Sequence, residues 1–268
     1  MITLKEIWNK YQVPRYDAKK MNHWATRMIY SRIATPIIWL LLPTRVTANQ
    51  ITAGWVVLGV FSCLLFTAGN YWTNIAAALL IQLHIAMDYV DGPIARYRNA
   101  FSRGAKSNPN RGAYIERVGH DLIYTIYFYC ISLGAAKRGL DPVFILSLGF
   151  LASIGYFFYK YTRRAKIFCA LVYNADKDRK DMPQPDATET ALNKKKRGNL
   201  LRVLYRTTQS IWDPISFTIL TLIAAFFDLV FLVPIFYGLT YPIHFIISYI
   251  YQARINEDWV YDWVRKVK

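Results

Sequence analysis

Long uncharged apolar runs constrain the fold of this chain more than any other feature of its sequence. Six segments are nearly free of charged residues: 51–69, 75–87, 121–136, 143–159, 214–227 and 229–250. Several of them meet or approach the roughly 20 residues that a helix needs to cross a bilayer. We therefore predict an all-α integral membrane protein with six transmembrane helices and an N-terminal interfacial amphipathic helix.

The apolar and charged residues divide the chain into three parts. Residues 1–47 mix Ile, Trp and Tyr with Lys and Arg, which is typical of a helix lying on the cytoplasmic membrane surface; a partly disordered arm is the alternative. Residues 48–252 are predicted to form the six-helix membrane domain, which contains a polar cytoplasmic connector at 174–199. Residues 253–268 are predicted to be a cytoplasmic tail.

The net charge of +16 is concentrated in three stretches. Lys and Arg crowd residues 1–47, 96–111 and 160–206, where the predicted helices leave the membrane. By the positive-inside rule, both termini and both basic loops are cytoplasmic. Anionic lipid headgroups account for basic residues at these places, so the charge does not indicate a nucleic-acid partner.

Local signals mark where two of the crossings begin. Thr47 or Asn49 is expected to cap the first crossing, because short polar side chains satisfy the free N–H groups of a helix. Asp213 and Pro214 are expected to be the N-cap and first residue of the fifth crossing, and Asp228 to mark its outer end.

Acidic side chains stand in two neighbouring predicted crossings. Asp88 and Asp91, at i and i+3, share one helical face, and Glu116 and His120, at i and i+4, share a face of the next helix. A short loop makes these helices antiparallel neighbours, so the four side chains should lie at similar depth. Carboxylates at that depth are costly without a cation. The pattern therefore predicts a site for Mg²⁺ or Mn²⁺.

Small and basic residues accompany the acids. Gly92, Ala95 and Gly112 leave room for a substrate to approach the backbone, and Arg96 can pair with a phosphate in a forked geometry. Together with metal ions, these residues indicate a nucleotide diphosphate bound at the membrane surface.

Three motifs carry a family resemblance. Residues 88–96 read D-x2-D-G-x2-A-R, residues 112–120 read G-x3-E-x3-H, and residues 47–52 read T-A-N-Q-I-T. They resemble the CDP-alcohol phosphotransferase (CDP-alcohol phosphatidyltransferase) family, whose signature is D-x2-D-G-x2-A-R-x8-G-x3-D-x3-D and whose first helix opens on T-P-N-x-x-T. The chain departs from that signature in a longer spacer and in Glu116 and His120, which replace the third and fourth Asp.

The resemblance implies a reaction and a set of roles. A hydroxyl of an acceptor alcohol attacks the β-phosphorus of a CDP-alcohol, and CMP leaves. Two Mg²⁺ or Mn²⁺ ions are implied, and their ligands would be Asp88, Asp91, Glu116 and His120. Contacts to the CDP part are implied for Asn49, Thr52, Gly92, Ala95, Arg96 and Gly112. His120 stands at the position of the general base; a structural role, or an enzyme with altered or lost activity, are the alternatives.

Five further polar side chains have two interpretations each. Asp121 would orient His120 or face another helix, and His84 would support Asp88 or be a core histidine. Three basic side chains would either bind an acceptor phosphate or anchor their helix at the inner membrane surface: Lys160, Arg163 and Arg164. Anchoring is favoured.

The substrates remain open at this point. CDP-diacylglycerol with a small polar acceptor is the first choice, and a CDP-linked headgroup passed to a lipid is the second. The resemblance also implies a homodimer. The predicted topology places the protein in a cell membrane, the inner membrane if the source is bacterial, with the active site facing the cytoplasm. Two other classes remain. An intramembrane prenyltransferase also binds diphosphate through Mg²⁺ on Asp-rich helices, and in a transporter or channel intramembrane carboxylates mark ion pathways.

Overall fold

The computed structural model describes residues 3–9, 29–101, 109–176 and 211–254, and in these ranges all regular structure is helical. The helices are α1 (Leu4–Ile7), α2 (Ser31–Leu41), α3 (Ala48–Phe66), α4 (Tyr71–Phe101), α5 (Pro109–Lys137), α6 (Pro142–Asp176), α7 (Pro214–Phe226) and α8 (Leu232–Arg254). The predicted all-α class is confirmed for the described part of the chain.

Four helices are long and apolar enough to cross a membrane. The candidate spans are Ala48–Phe66, Tyr71–Arg98, Pro142–Thr162 and Leu232–Ile250. They support an integral membrane protein, but they do not confirm the predicted six crossings. Helix α5 carries charged residues in its first half, and α7 has only 13 residues, fewer than the roughly 20 that span a bilayer.

The predicted helix starts follow the local capping chemistry. The Thr47 hydroxyl accepts a hydrogen bond from the backbone N–H of Gln50, whose side chain accepts one from the Thr47 N–H, so Thr47 rather than Asn49 caps α3. Asp213 accepts a hydrogen bond from the N–H of Ile215 at 3.0 Å and caps α7. These two predictions are confirmed.

The predicted N-terminal surface helix is described only in part. Helix α1 is four residues long, and Ile7 is buried where α1 packs against α2. Residues 10–28 lie outside the described residues, as do 177–210, which hold most of the predicted connector, and 255–268, which hold most of the predicted tail. Residues 174–176 belong to α6.

The bundle brings three helices together around the two motifs. Helix α4 packs against α3, α2 and α7, while α3 also packs against α5; α6 lies on α5 and α8 lies on α6. A close approach fixes this arrangement at one end, where a Cβ on Gly134 of α5 would lie 2.1 Å from the carbonyl oxygen of Phe66. At the opposite end of the bundle, the start of α5 approaches the start of α3, where a Cβ on Gly112 would lie 3.4 Å from Oδ1 of Asn49.

Candidate metal centre and active site

Three predicted side chains converge between α4 and α5. The ligand atoms of Asp88, Glu116 and His120 all lie within 4.8 Å of one another, and each side chain is partly buried. The Nε2 atom of His120 lies 3.2 Å from Oδ1 of Asp88. Helices α4 and α5 both pack on α3, and this common packing brings the two predicted motifs side by side.

The donor set of this cluster fits a divalent cation. Two carboxylates this close repel one another unless a positive charge lies between them. Carboxylate oxygen is a ligand for Mg²⁺ and Mn²⁺, and imidazole nitrogen is a ligand for transition ions. The three side chains, from two helices, offer both types of donor to one point.

Asp91 lies outside this cluster in the described part of the chain. Its Oδ2 atom accepts hydrogen bonds from the Thr52 hydroxyl at 2.7 Å and from the Trp55 indole N–H at 3.1 Å. Asp91 is 7% exposed and Thr52 is 4% exposed. One oxygen of the predicted metal ligand is thus bound to α3, and the predicted nucleotide contact Thr52 is one of its donors.

Two aromatic rings hold His120 in place. Its imidazole stacks on Trp55 of α3, with ring centroids 4.7 Å apart, and on Tyr124 of α5, with centroids 5.6 Å apart and an interplanar angle of 7°. Its Nδ1 atom is buried and has no hydrogen-bond partner among the described residues. Stacking therefore orients the ring and leaves Nε2 as the nitrogen that faces the carboxylates.

His84 supports these two rings rather than Asp88. Its Nδ1 atom lies 2.9 Å from the carbonyl oxygen of Trp55, and its Nε2 atom lies 3.4 Å from the hydroxyl of Tyr124. Because a carbonyl oxygen only accepts, Nδ1 carries the hydrogen and Nε2 accepts from Tyr124. His84 is fully buried. The structure thus favours the core-histidine reading, with contacts on both nitrogens.

The small residues of the motifs lie beside polar side chains. A Cβ on Gly112 would lie 3.4 Å from Oδ1 of Asn49, so the start of α5 approaches the start of α3. A Cβ on Gly92 would lie 3.3 Å from Nη1 of Arg96. Asn49 and Arg96 are exposed, so both can reach a ligand at this end of the bundle.

The half-buried side chain of Ala95 stands one position before Arg96 on α4. The contacts to the CDP part of the substrate stay predictions for five residues: Asn49, Gly92, Ala95, Arg96 and Gly112. None of them is tested by the side-chain contacts described above.

Asp121 faces α6 and not His120. Its two carboxylate oxygens pair with the two terminal nitrogens of Arg164, and the Nη2–Oδ1 distance is 2.8 Å. The ammonium of Lys160 lies 5.5 Å from the ring centroid of Tyr156. A cavity of about 50 Å³ lies between α5 and α6, and its lining includes Asp121, Tyr156, Lys160 and Arg164. Asp121 directly follows His120 in the sequence. The side chain of Arg163 lies outside the described residues.

Sequence reasoning missed Trp55 and Tyr124. Both are buried, and both contact His120. The sequence did offer one indication of a role for Trp55. It stands one turn after Thr52, on the same helical face, and a buried indole N–H needs a hydrogen-bond acceptor. Its acceptor, Asp91, is on another helix, so the pair follows only from the packing of α3 on α4.

One comparison with known proteins confirms the family resemblance. The family model of CDP-alcohol phosphatidyltransferase matches residues 45–106, which begin just before α3 and end just after α4. The match contains Asp88, Asp91 and Arg96, whereas Glu116 and His120 follow it. A search of curated proteins found no match. Proteins of this family transfer a substituted phosphate group from a CDP-alcohol to an acceptor alcohol.

Proposed function

We propose that this protein transfers a substituted phosphate group from a CDP-alcohol to the hydroxyl of an acceptor alcohol and releases CMP, as a step of phospholipid biosynthesis. The observation that supports this most is the convergence of Asp88, which lies inside the family match, with Glu116 and His120, which lie beyond it. A second motif that meets the first in space is what a site for a pyrophosphate and its cation requires.

The proposed cation ligands are Asp88, Glu116 and His120. Bound Mg²⁺ or Mn²⁺ would polarise the pyrophosphate and offset the negative charge that develops as CMP leaves. Asp91 holds Trp55 and Thr52 through Oδ2. The resemblance implies it as a fourth ligand, which would then bind through Oδ1.

The proposed nucleotide site lies at the end of the bundle where α3 and α5 begin and α4 ends. Arg96 and Asn49, both exposed, would contact the CDP part; Gly92 and Gly112, which lack side chains, stand beside them. Arg96 would pair with phosphate oxygens through its forked guanidinium. Thr52 would act through Asp91 instead of touching the nucleotide.

The acceptor oxygen would form a bond to the β-phosphorus while the bond from that phosphorus to the bridging oxygen breaks. CMP leaves with the bridging oxygen, and the hydroxyl proton passes to a base. His120 faces the cluster through Nε2, and that one lone pair can accept the proton or bind the cation. Metal binding by His120 variants separates these two roles.

CDP-diacylglycerol is the proposed donor, with a small polar alcohol as acceptor; a CDP-linked headgroup passed to a lipid is the alternative. Six crossings are proposed, with α5 and α7 crossing beside the four apolar spans. With six crossings, the positive-inside rule supports a cytoplasmic site and cytoplasmic termini, which we include in the proposal. A homodimer is proposed on the family resemblance alone.

The test is CMP release by the purified protein with Mg²⁺ or Mn²⁺ and a panel of CDP-alcohols and acceptors. We expect release from at least one donor and none from Asp88→Asn. The matched control is Asp141→Asn, since Asp141 caps α6 away from the site and Asn caps equally well. Full activity of Asp88→Asn, or no CMP from any donor with the folded protein, would contradict the proposal.

A further inference from the structure

We propose that this site binds a first-row transition ion such as Mn²⁺ in preference to Mg²⁺, because His120 supplies a nitrogen ligand. The proposal deepens the proposed function, on which it rests for the position of the cation. It concerns the ion and the ligand atom, and neither follows from the family match, which ends before His120.

The ligand atom is defined by the geometry around the imidazole. Nε2 of His120 lies 3.2 Å from Oδ1 of Asp88, and one Glu116 oxygen completes a group within 4.8 Å. That separation is about twice a metal–ligand bond of 2.0–2.4 Å, so one ion can reach all three atoms. The opposite nitrogen, Nδ1, is buried among the rings.

The ring is held so that Nε2 cannot easily turn away. Trp55 and Tyr124 both stack on the ring of His120, and His84 contacts both of these residues through its two nitrogens. A metal-binding histidine is usually oriented by a hydrogen bond to its second nitrogen. Here aromatic stacking supplies that orientation, from Trp55 of α3 and Tyr124 of α5.

The preference follows from ligand chemistry. Mg²⁺ demands oxygen ligands, and it keeps several of its waters. Imidazole suits transition ions, which bind nitrogen more strongly. A site with two carboxylates and one imidazole should therefore bind Mn²⁺ more tightly than Mg²⁺. An aspartate at position 120 would remove this difference, and His120→Asp is the matched variant.

Pulsed electron paramagnetic resonance of bound Mn²⁺ tests the ligand directly. We expect ¹⁴N modulation from one imidazole in the purified protein, and its replacement by the ¹⁵N pattern when the protein contains ¹⁵N-histidine. The modulation should be absent from His120→Asp and unchanged in His244→Gln, a buried histidine of α8. Isotope labelling needs no variant, so the test holds even if His120→Asp does not fold.

Competition between the two ions tests the preference. The ratio of Mn²⁺ to Mg²⁺ affinity should fall at least about tenfold in His120→Asp, which corresponds to roughly 1.4 kcal/mol. Bound Mn²⁺ without nitrogen coupling, or an equal ratio in both proteins, would overturn the proposal.

The two proposals fail separately. Nitrogen-coupled Mn²⁺ with no CMP release from any donor would keep this metal site and contradict the transferase. CMP release with oxygen-only coordination would keep the transferase and contradict the nitrogen ligand.

Discussion

Replacing Thr52 by Val distinguishes an internal role of this residue from a nucleotide contact. The Thr52 hydroxyl donates to Asp91 Oδ2 at 2.7 Å, with the Ala48 carbonyl oxygen as a second acceptor at 3.0 Å. Because a hydroxyl has one hydrogen, we expect the shorter bond to the carboxylate to dominate. Valine keeps the shape of threonine and removes the donor from a buried acceptor.

The expected cost follows from the loss of one hydrogen bond to a charged group, about 1.5–3 kcal/mol. One kcal/mol shifts the thermal midpoint by about 2–4 °C in a protein of this size class. Thr52→Val should therefore lower the midpoint by about 3–12 °C. The Michaelis constant for the CDP-alcohol should change little, since the side chain is buried.

A double-mutant cycle with Asp91→Asn measures the coupling. In the Asp91→Asn background, Thr52→Val removes only a bond between neutral groups, so its effect on the midpoint should be at least about halved. The midpoints can be measured in detergent by the loss of monodisperse protein on heating. An equal fall in both backgrounds, or a raised Michaelis constant with an unchanged midpoint, would refute the Thr52–Asp91 bond as the role of this residue.

Three further predictions concern the packing around the site and the opposite end of the bundle. Gly119→Ala should lower the thermal midpoint by about 2–12 °C and reduce CMP release, because the new Cβ would lie 2.4 Å from a valine methyl group of α3. His84→Ala should be less stable than its combination with Tyr124→Phe, since the single change leaves a buried tyrosine hydroxyl without its acceptor. Arg138 lowers the pKa of Asp228 below its usual value, so the pair stabilises the fold above about pH 4 and is lost as the pH falls through the lowered pKa. Asp228→Asn should therefore show a smaller fall in thermal midpoint than the unchanged protein between pH 5 and about pH 3, and an equal fall would contradict the pairing.

Local and short-range features were predictable from the sequence. Thr47 and Asp213 cap their helices because capping depends on residues within one turn. Helical periodicity puts Asp88 with Asp91 on one face and Glu116 with His120 on another, and the ligand atoms of Asp88, Glu116 and His120 lie within 4.8 Å of one another. Each of these predictions needs only helical periodicity or the chemistry of acidic side chains in apolar helices.

Features that depend on how α3 packs were not predictable. The spacing of Asp88 and Asp91 gives them one face, but it does not show that Thr52 and Trp55 bond to Asp91. The stacking on His120 has the same origin. The number of crossings is also undecided by composition, because the charged first half of α5 is part of the site and lowers the hydropathy of that helix.

Mn²⁺ titration of Glu116→Gln tests most directly whether α4 and α5 hold a cation together. Glu116 lies on α5, beyond the family match, and contributes one of the two carboxylates. The account predicts Mn²⁺ binding at least about tenfold weaker than in the Asp141→Asn control, with an unchanged thermal midpoint. Equal affinity in both variants would show that Glu116 does not hold the cation, and it would contradict the account.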